Sequence, residues 1–285
     1  MVFCAFACAF SEVYLFNHSH FSGVWHFRGI IACMTVSWLN LLFALIGLAV
    51  AIIINVLADD LPLRIRPLPP HCPQCGHIHK IVQWLGLLRR QCPQCGLPVR
   101  RRVIWVEVGT AALFAFLPSV IPELRNLIVN SFYIAVLILV IVIDLEHKLI
   151  LNVVTFPVTA VALAASFIVT QDQNTILLAA AGAALGLIVG YVLYGFGSLV
   201  SGAGAFGLGD VKLAMAMGAM MGLHRIPFAL VIGIVFGGVI SLLLLITRLV
   251  SRHDALPYGQ YLATGGIIML IWGVEIFNWY ITPYR

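Results

Sequence analysis

Two Cys-x-x-Cys pairs lie close together in this chain of 285 residues. Cys72 and Cys75 form the first pair, Cys92 and Cys95 form the second, and sixteen residues separate the two pairs. Each pair has proline after its first cysteine and glycine after its second, which predicts a tight turn with both thiolates on one side. Two such turns supply the four thiolates of a tetrahedral Zn²⁺ site, and a four-thiolate site has no open position for catalysis. The spacing therefore predicts a structural zinc loop.

Two disulfides are the alternative for these four cysteines. Disulfides are rare in a reducing cytoplasm, and the charge pattern described below predicts that the loop is cytoplasmic, so zinc is favoured. His71, His77 and His79 could replace a cysteine as ligands. Because four thiolates already complete the shell, we expect these histidines to be ordinary loop residues.

Two aspartates border long apolar segments. Asp144 ends the run YIAVLILVIVID, and Asp210 follows Gly-Leu-Gly and opens a run of apolar and small residues. Two carboxylates brought close together share a proton, because both cannot readily ionise. One can then act as base on a water while the protonated one polarises a peptide carbonyl, which is the chemistry of aspartic proteolysis. Gly207 and Gly209 would leave room for an extended substrate backbone and permit dihedrals that other residues avoid.

Taken singly, each aspartate has a simpler interpretation. Asp210 could cap a helix, a position that aspartate favours, and Asp144 could reach towards lipid headgroups. The two residues are unusual because they share a membrane depth, as the following topology predicts. We therefore favour a catalytic pair.

The segments that position these residues are predicted membrane helices. Hydrophobic residues make up 62% of the chain and charged residues 9%, and the mean hydropathy is +1.05, whereas a soluble domain carries about 25% charged residues. Backbone groups in lipid must be satisfied within a segment, which favours helices of about 20 apolar residues. The sequence predicts an all-α polytopic membrane protein with a small cytoplasmic zinc-binding loop domain between helices 1 and 2. About eight transmembrane helices are expected, near residues 39–58, 104–121, 127–144, 151–170, 175–198, 209–223, 226–247 and 260–280.

Lysine and arginine predict the orientation of these helices. The segment between the first two spans contains eight of the sixteen basic residues, and alternation of the spans places twelve on its side and four opposite. This asymmetry predicts that the zinc loop is cytoplasmic and that Asp144 and Asp210 lie at the same depth on that side. The net charge of +5 is then a topology signal, and nothing indicates nucleic acid as a partner.

The expected domain organisation follows from these segments. Residues 1–33 combine scattered cysteine, histidine and aromatic residues, and we expect a non-native or disordered extension, with translation starting at or near Met34. Residues 34–58 are expected to form the first transmembrane helix and residues 59–103 the double Cys-x-x-Cys zinc domain. Residues 104–285 are expected to form a membrane-embedded aspartic peptidase domain.

Four ordered motifs carry a family resemblance. After IIINVLADDLP and the double Cys-x-x-Cys loop, VIWVEVGTAALF contains Glu107; IDLEHKLILNVVTFPV then contains Asp144. FGLGDVKLAMAMGAMMG contains Asp210 and Lys212, and LPYGQYLATGG follows near the end. From Met34 onwards the chain resembles the type IV prepilin peptidases, bifunctional leader peptidase/N-methyltransferases of the Gly-x-Gly-Asp aspartic class. It departs from the family pattern in having Leu151 before Asn152, Tyr258 and Gln260, and in lacking Gly-Ser-Phe near the first span.

The resemblance implies an activity and its participants. Substrates would be type IV prepilin or pseudopilin precursors with a short basic leader, cleaved after a glycine at the cytoplasmic face of the bacterial inner membrane. Their apolar stalk would stay in the lipid bilayer, and the new N-terminal amine would be methylated from S-adenosylmethionine. The resemblance implies that Asp144 and Asp210 are catalytic and that four residues contribute to substrate binding: Gly207, Gly209, Lys212 and Glu107.

Two other function classes fit part of the pattern. A proton-coupled transporter could use Asp144 and Asp210 as relay carboxylates, but transporters often contain internal repeats with broken helices at the midplane, and the two halves of this chain show no repeat. An assembly scaffold that docks through the zinc loop would explain the cysteines and leave the Gly-x-Gly-Asp motif without a purpose. The aspartic peptidase is therefore the favoured hypothesis.

Overall fold

The computed structural model describes residues 25–63, 68–72, 74–89, 91–170, 173–201, 207–248 and 258–281. Within those ranges the chain is all-α, as predicted, with eight α-helices and no strand. The zinc loop lies between the first two helices and contains a short 3₁₀ turn, Ile81–Gln83. The helices are α1 Trp25–Asp60, α2 Arg101–Val120, α3 Leu124–His147, α4 Asn152–Thr170, α5 Gln173–Ser201, α6 Leu208–Met221, α7 Ile226–Ile246 and α8 Gly259–Ile281.

Six of these helices are long and apolar enough to cross a membrane, which makes this a multi-pass membrane protein. Their membrane segments are Trp38–Asp60, Arg101–Val120, Leu124–His147, Thr175–Gly197, Ile226–Ile246 and Gly259–Tyr280. The remaining two helices, α4 and α6, are shorter. The 14 residues of α6 extend about 21 Å at 1.5 Å per residue, less than the roughly 30 Å of a hydrocarbon core. The helix α6, predicted from the sequence as one of the spans, is therefore too short to cross a bilayer.

The predicted N-terminal extension falls mainly on residues 1–24, which lie outside the described residues. The first helix begins at Trp25, upstream of Met34, and its apolar membrane segment begins at Trp38. The proposed start near Met34 stays a prediction.

The third helix, α3, is the centre of the bundle. It packs against α1, α2, α4 and α8, and Ile134, Leu137 and Ile143 on it are almost completely buried. Around it, α1 packs mainly on α2, α5 on α6, and α7 on α8. Apolar side chains such as Trp38 and Leu242 are exposed on the outside of the bundle, as expected for a surface that faces lipid.

Glycines bring α5 and α6 into backbone contact. A methyl group at Gly218 would overlap the carbonyl oxygen of Gly182, and a methyl group at Gly186 would overlap that of Ala214. Small residues at a spacing of four allow membrane helices to approach this closely. The contact continues to Gly190, which faces the first turn of α6, and so fixes the position of Asp210.

Ion pairs join three helix ends on one side of the bundle. Arg102, in the first turn of α2, donates a hydrogen bond to Asp59 Oδ1 at the end of α1 (2.9 Å) and a second to Glu146 near the end of α3. The adjacent Asp60 accepts the backbone N–H of Leu68 through Oδ2 (2.7 Å), which anchors the start of the zinc loop. We call this side of the bundle, marked by Asp59, Arg102 and Glu146, the loop face.

The glycine contact predicts a stability difference between two single-methyl variants. Gly218→Ala should force α5 and α6 apart, because the atoms that the new methyl group would overlap belong to the backbone of α5. Overpacking of this kind costs about 1–3 kcal/mol. Gly238→Ala is the matched control, since a methyl group at Gly238 has no heavy atom within 4 Å. Thermal unfolding of the purified proteins in detergent should show a lower Tm for Gly218→Ala alone. Equal Tm values for the two variants would contradict the proposed contact.

Candidate active site

Three helix ends meet at the two aspartates singled out by the sequence. Asp144 lies in the last turn of α3, Asp210 lies in the first turn of α6, and α8 begins beside them at Gly259. A methyl group at Gly259 would lie 3.0 Å from Asp144 Oδ2 and 3.1 Å from Asp210 Oδ1. The two carboxylates therefore converge beside the Cβ position of Gly259, and these two oxygens are at most 6.1 Å apart (3.0 Å plus 3.1 Å). Both are buried, with 4% of Asp144 and 7% of Asp210 exposed.

Each carboxylate accepts a backbone N–H from the start of a helix. The N–H of Gln260 donates to Asp144 Oδ2 (2.9 Å), and the N–H of Gly207 donates to Asp210 Oδ2 (2.8 Å). The second bond closes the first turn of α6, so Asp210 does cap its helix, one of the simpler roles considered above. The positive end of a helix dipole also stabilises negative charge at such positions. Asp210 can cap α6 and also lie near Asp144, because its Oδ2 accepts the capping hydrogen bond and its Oδ1 lies towards Gly259.

The two glycines before Asp210 differ in their structural roles. Neither has a positive φ, and Gly207 has φ −94° and ψ 157°, so neither glycine uses the wider range of dihedrals that it permits. Gly207 contributes its N–H. At Gly209 a methyl group would lie 2.9 Å from Ile150 Cβ, so a side chain there would push away the connection between α3 and α4.

Lys212 follows Asp210 on α6 and connects that helix to α4. Its Nζ donates a hydrogen bond to Asn152 Oδ1 (2.8 Å) and lies 5.8 Å from the centre of the Phe156 ring. This bond joins the first turns of two helices on the loop face. A contact between Lys212 and substrate stays a prediction.

Glu107 binds the zinc loop. It is fully buried on α2, where Oε1 accepts the N–H of Gly86 (2.7 Å) and Oε2 accepts the N–H of Leu87 (2.9 Å). A buried carboxylate with two backbone donors on separate oxygens is a strong local anchor. Its structural role is to hold the loop on α2, and its predicted contact with substrate stays a prediction.

The zinc loop consists of two equivalent turns. Gly76 and Gly96 both have φ +70°, a left-handed conformation that favours glycine. Their N–H groups donate to the carbonyls of Cys72 and Cys92, each at 2.9 Å. The repeated Cys-Pro-Gln-Cys-Gly sequence therefore folds into the same turn twice, and each turn presents its two thiols on one side.

The four sulfurs have the geometry of a zinc site. Cys72 Sγ lies 3.7 Å from Cys95 Sγ, Cys75 Sγ lies 3.7 Å from Cys92 Sγ, and all four lie within 4.8 Å of one another. Zn–S bonds of about 2.3 Å in a tetrahedron place sulfurs about 3.8 Å apart, whereas a disulfide bond is about 2.05 Å long.

The histidines of the loop are not part of the sulfur cluster. Among the described residues, the group that could hold a metal contains the four cysteines alone. His71 Nδ1 lies 3.1 Å from the Pro69 carbonyl oxygen, and its Nε2 lies 3.6 Å from Asp60 Oδ1. The four cysteines alone therefore stay the predicted metal ligands.

Sequence reasoning did not single out Gly259 or Ile150, or give Gln260 a function. Gln260 acts through its backbone N–H, Gly259 through the lack of a side chain, and Ile150 by packing against both Gly209 and Gly259. None of these contributions depends on a reactive side chain. The signal that was available is the glycine at the start of LPYGQYLATGG, which precedes the last apolar run.

Comparison with known proteins shows which family this chain resembles and which residues the resemblance covers. Residues 131–242, which include Asp144 and Asp210, match the model of the type IV leader peptidase family. The chain is 32% identical over 219 residues to a prepilin leader peptidase/N-methyltransferase of Legionella pneumophila, covering 74% of each protein. It is 31% identical over 218 residues to one of Pseudomonas putida, covering 72% of this chain and 73% of the relative. No solved structure shows a significant match. The chain therefore belongs to the type IV leader peptidase family.

Proposed function

We propose that this protein is an aspartic endopeptidase that removes the leader from type IV prepilin or pseudopilin precursors and then methylates the new N-terminus. The observation that carries the peptidase half is the buried pair of Asp144 and Asp210, whose carboxylates converge beside Gly259. The relatives that the chain matches are named for both activities. The basic zinc loop and the loop face support a position in the bacterial inner membrane with this side in the cytoplasm.

Hydrolysis at this pair requires one proton shared between the two carboxylates. The ionised aspartate takes a proton from a water, and the water oxygen forms a bond to the carbonyl carbon of the scissile peptide. The protonated aspartate donates a hydrogen bond to the carbonyl oxygen, where negative charge develops. The C–N bond then breaks as a proton moves to the leaving nitrogen, so one water is consumed and a new N-terminal amine appears. The N–H groups of Gly207 and Gln260 keep both carboxylates oriented throughout.

The first turn of α6 is the proposed wall of the substrate site. Gly207, Gly209 and Lys212 all lie within three residues of Asp210, so a peptide bond held at the pair would contact this turn. Ile150 packs between Gly209 and Gly259 and must move for an extended chain to reach the carboxylates. Glu107 would act on the substrate only through the loop that it anchors.

The four-cysteine cluster is proposed to hold a structural Zn²⁺. The sulfur spacings support this ion, and two Cys-x-x-Cys turns are its typical ligands. Because the loop has little apolar core of its own, the free energy of metal binding would serve as its folding free energy. The expected occupancy is one zinc ion per chain, with no catalytic role.

The peptidase proposal predicts loss of cleavage when either carboxylate is replaced by its isosteric amide. Asp144→Asn and Asp210→Asn each replace one carboxyl group by an amide, which cannot share the proton. Each change should reduce the cleavage rate by at least about 100-fold. Glu123→Gln, an exposed acid in the α2–α3 connection, should cleave at the wild-type rate. Mass spectrometry of a prepilin incubated with membranes carrying each protein measures leader loss and added methyl groups. Full cleavage by either aspartate variant would refute the pair, and an uncut substrate with the wild type would favour a transporter or scaffold.

The zinc proposal predicts a metal content that depends on cysteine and not on histidine. Purified wild-type protein should contain about one zinc per chain by elemental mass spectrometry, and Cys72→Ser or Cys95→Ser should lose it. His77→Asn should keep its zinc. Removal of the metal with a chelator should expose the loop to limited proteolysis, since its turns lose their common ligand. Zinc-free protein with two disulfides would support the alternative instead.

A further inference from the structure

A polar cavity lies between α1 and the zinc loop, away from the aspartate pair. Its volume is about 40 Å³, and its lining includes Asn55 and Asp59 from α1 and His79, Trp84 and Arg89 from the loop. One water molecule occupies roughly 10–15 Å³ on this measure. The cavity therefore encloses a few non-hydrogen atoms of a polar ligand, and is too small to enclose a nucleoside.

The cavity contains buried polar atoms that lack partners. Within the described part of the chain, no hydrogen bond reaches His79 Nδ1 or Nε2, Arg89 Nε or Asn55 Oδ1. Buried polar groups in folded proteins are normally paired, and each unpaired one costs about 1–3 kcal/mol. Four such atoms around one cavity mark a buried polar site, which bound water or a polar ligand of matching donors and acceptors would satisfy.

The His79 ring is held in place although its nitrogens are unpaired. Its residue is 4% exposed, its backbone N–H donates to the Pro70 carbonyl (2.9 Å), and its own carbonyl accepts the indole N–H of Trp84 (3.0 Å). Burial and the nearby positive charge of Arg89 lower the pKa of His79 to about 4. The ring is therefore neutral at pH 7 and offers one N–H donor and one acceptor.

The polar groups that line the cavity include both hydrogen-bond donors and hydrogen-bond acceptors. Arg89 and the N–H of His79 would bind a carboxylate, for which a guanidinium is the strongest protein partner. Asn55 Oδ1 is the unpaired acceptor that would bind an ammonium group, and the carboxylate of Asp59, which Arg102 already pairs, would lie beside it. A carboxylate and an ammonium one carbon apart form the end of an α-amino acid. A simple anion would leave Asn55 Oδ1 unpaired.

We propose that this cavity binds the amino-acid end of S-adenosylmethionine, with the carboxylate at Arg89 and His79 and the ammonium at Asn55 and Asp59. The inference rests on the N-methyltransferase half of the proposed function. When bound, this donor supplies a methyl group to the new N-terminal amine. The nucleoside lies outside the cavity, because the enclosed volume accommodates the amino-acid end alone.

The position of the cavity suits that reaction. Asp59, which lines it, is also the partner of Arg102, and Arg102 binds Glu146, two residues beyond Asp144 on α3. The cavity and the aspartate pair therefore lie at the same side of the bundle, near the ends of α1 and α3. The amine is produced at that pair and would need to travel only along the loop face.

The test compares two ligands that differ in the amino-acid end. S-adenosylhomocysteine carries this end, whereas 5′-methylthioadenosine keeps the nucleoside and sulfur without it. Calorimetric titration of the full-length protein in detergent should show that Arg89→Gln and His79→Phe weaken S-adenosylhomocysteine binding by about tenfold or more. Binding of 5′-methylthioadenosine should be the same for the wild type and both variants. Arg101→Gln, an exposed arginine just beyond the loop, should bind both ligands as the wild type does.

Two further measurements show that the variants are folded. His79→Phe removes ring nitrogens that have no hydrogen bond among the described residues, so it should keep wild-type zinc content and prepilin cleavage. Wild-type affinity of both variants for S-adenosylhomocysteine would overturn the assignment of the cavity and leave methylation intact. Equal loss of affinity for both ligands would also overturn it, because the effect would then not depend on the amino-acid end. A wild-type protein that cleaves prepilin but does not bind S-adenosylhomocysteine would refute both this inference and the methyltransferase half.

Discussion

Two hydrogen bonds from backbone N–H groups, one to Asp144 and one to Asp210, are the interactions on which the rest of this structure depends. A carboxylate at the edge of a membrane is costly unless it has hydrogen-bond donors. The first turn of a helix is a ready source of such donors, because its N–H groups have no partner within the helix. Two helices must therefore begin where a third one ends, and the starts of α6 and α8 at the end of α3 meet this requirement.

The packing of the bundle keeps those helix starts in place. Contact between Gly182 and Gly218 fixes α6 against α5, and Gly265 lets α8 approach Ala229 of α7 equally closely. On the loop face, Arg102 fixes the end of α3 against the ends of α1 and α2. The loop is anchored to the same helices, so the four-cysteine cluster, the proposed donor cavity and the aspartate pair occupy one side of the protein. A protein with two successive activities on one substrate benefits from this arrangement, because the product of the first reaction appears near the second site.

The features that could be predicted from the sequence are those that depend on side chains of a distinctive chemical type. Thiols repeated within short turns predict a metal site, because the ligands are local in sequence, and carboxylates at the ends of apolar runs predict a buried pair. Long apolar segments predict helices, but the short α6 was difficult to delimit, because small residues extend its apolar run. Gln260 and Gly259 were not predictable, since their contributions are a backbone N–H and a missing side chain brought in from a distant helix. The cavity at His79 and Arg89 was not predictable for a related reason: burial without partners appears only after the loop has folded on α1.

If Asp144 and Asp210 act as one catalytic unit, a double-mutant cycle will show that the effects of losing each carboxylate depend on the other. Cleavage rates of a prepilin substrate would be measured for Asp144→Asn, Asp210→Asn and the variant that carries both changes. Residues that act as a unit are strongly non-additive, so the double variant should be no slower than either single variant. Additive losses, with substantial cleavage remaining in each single variant, would contradict the account.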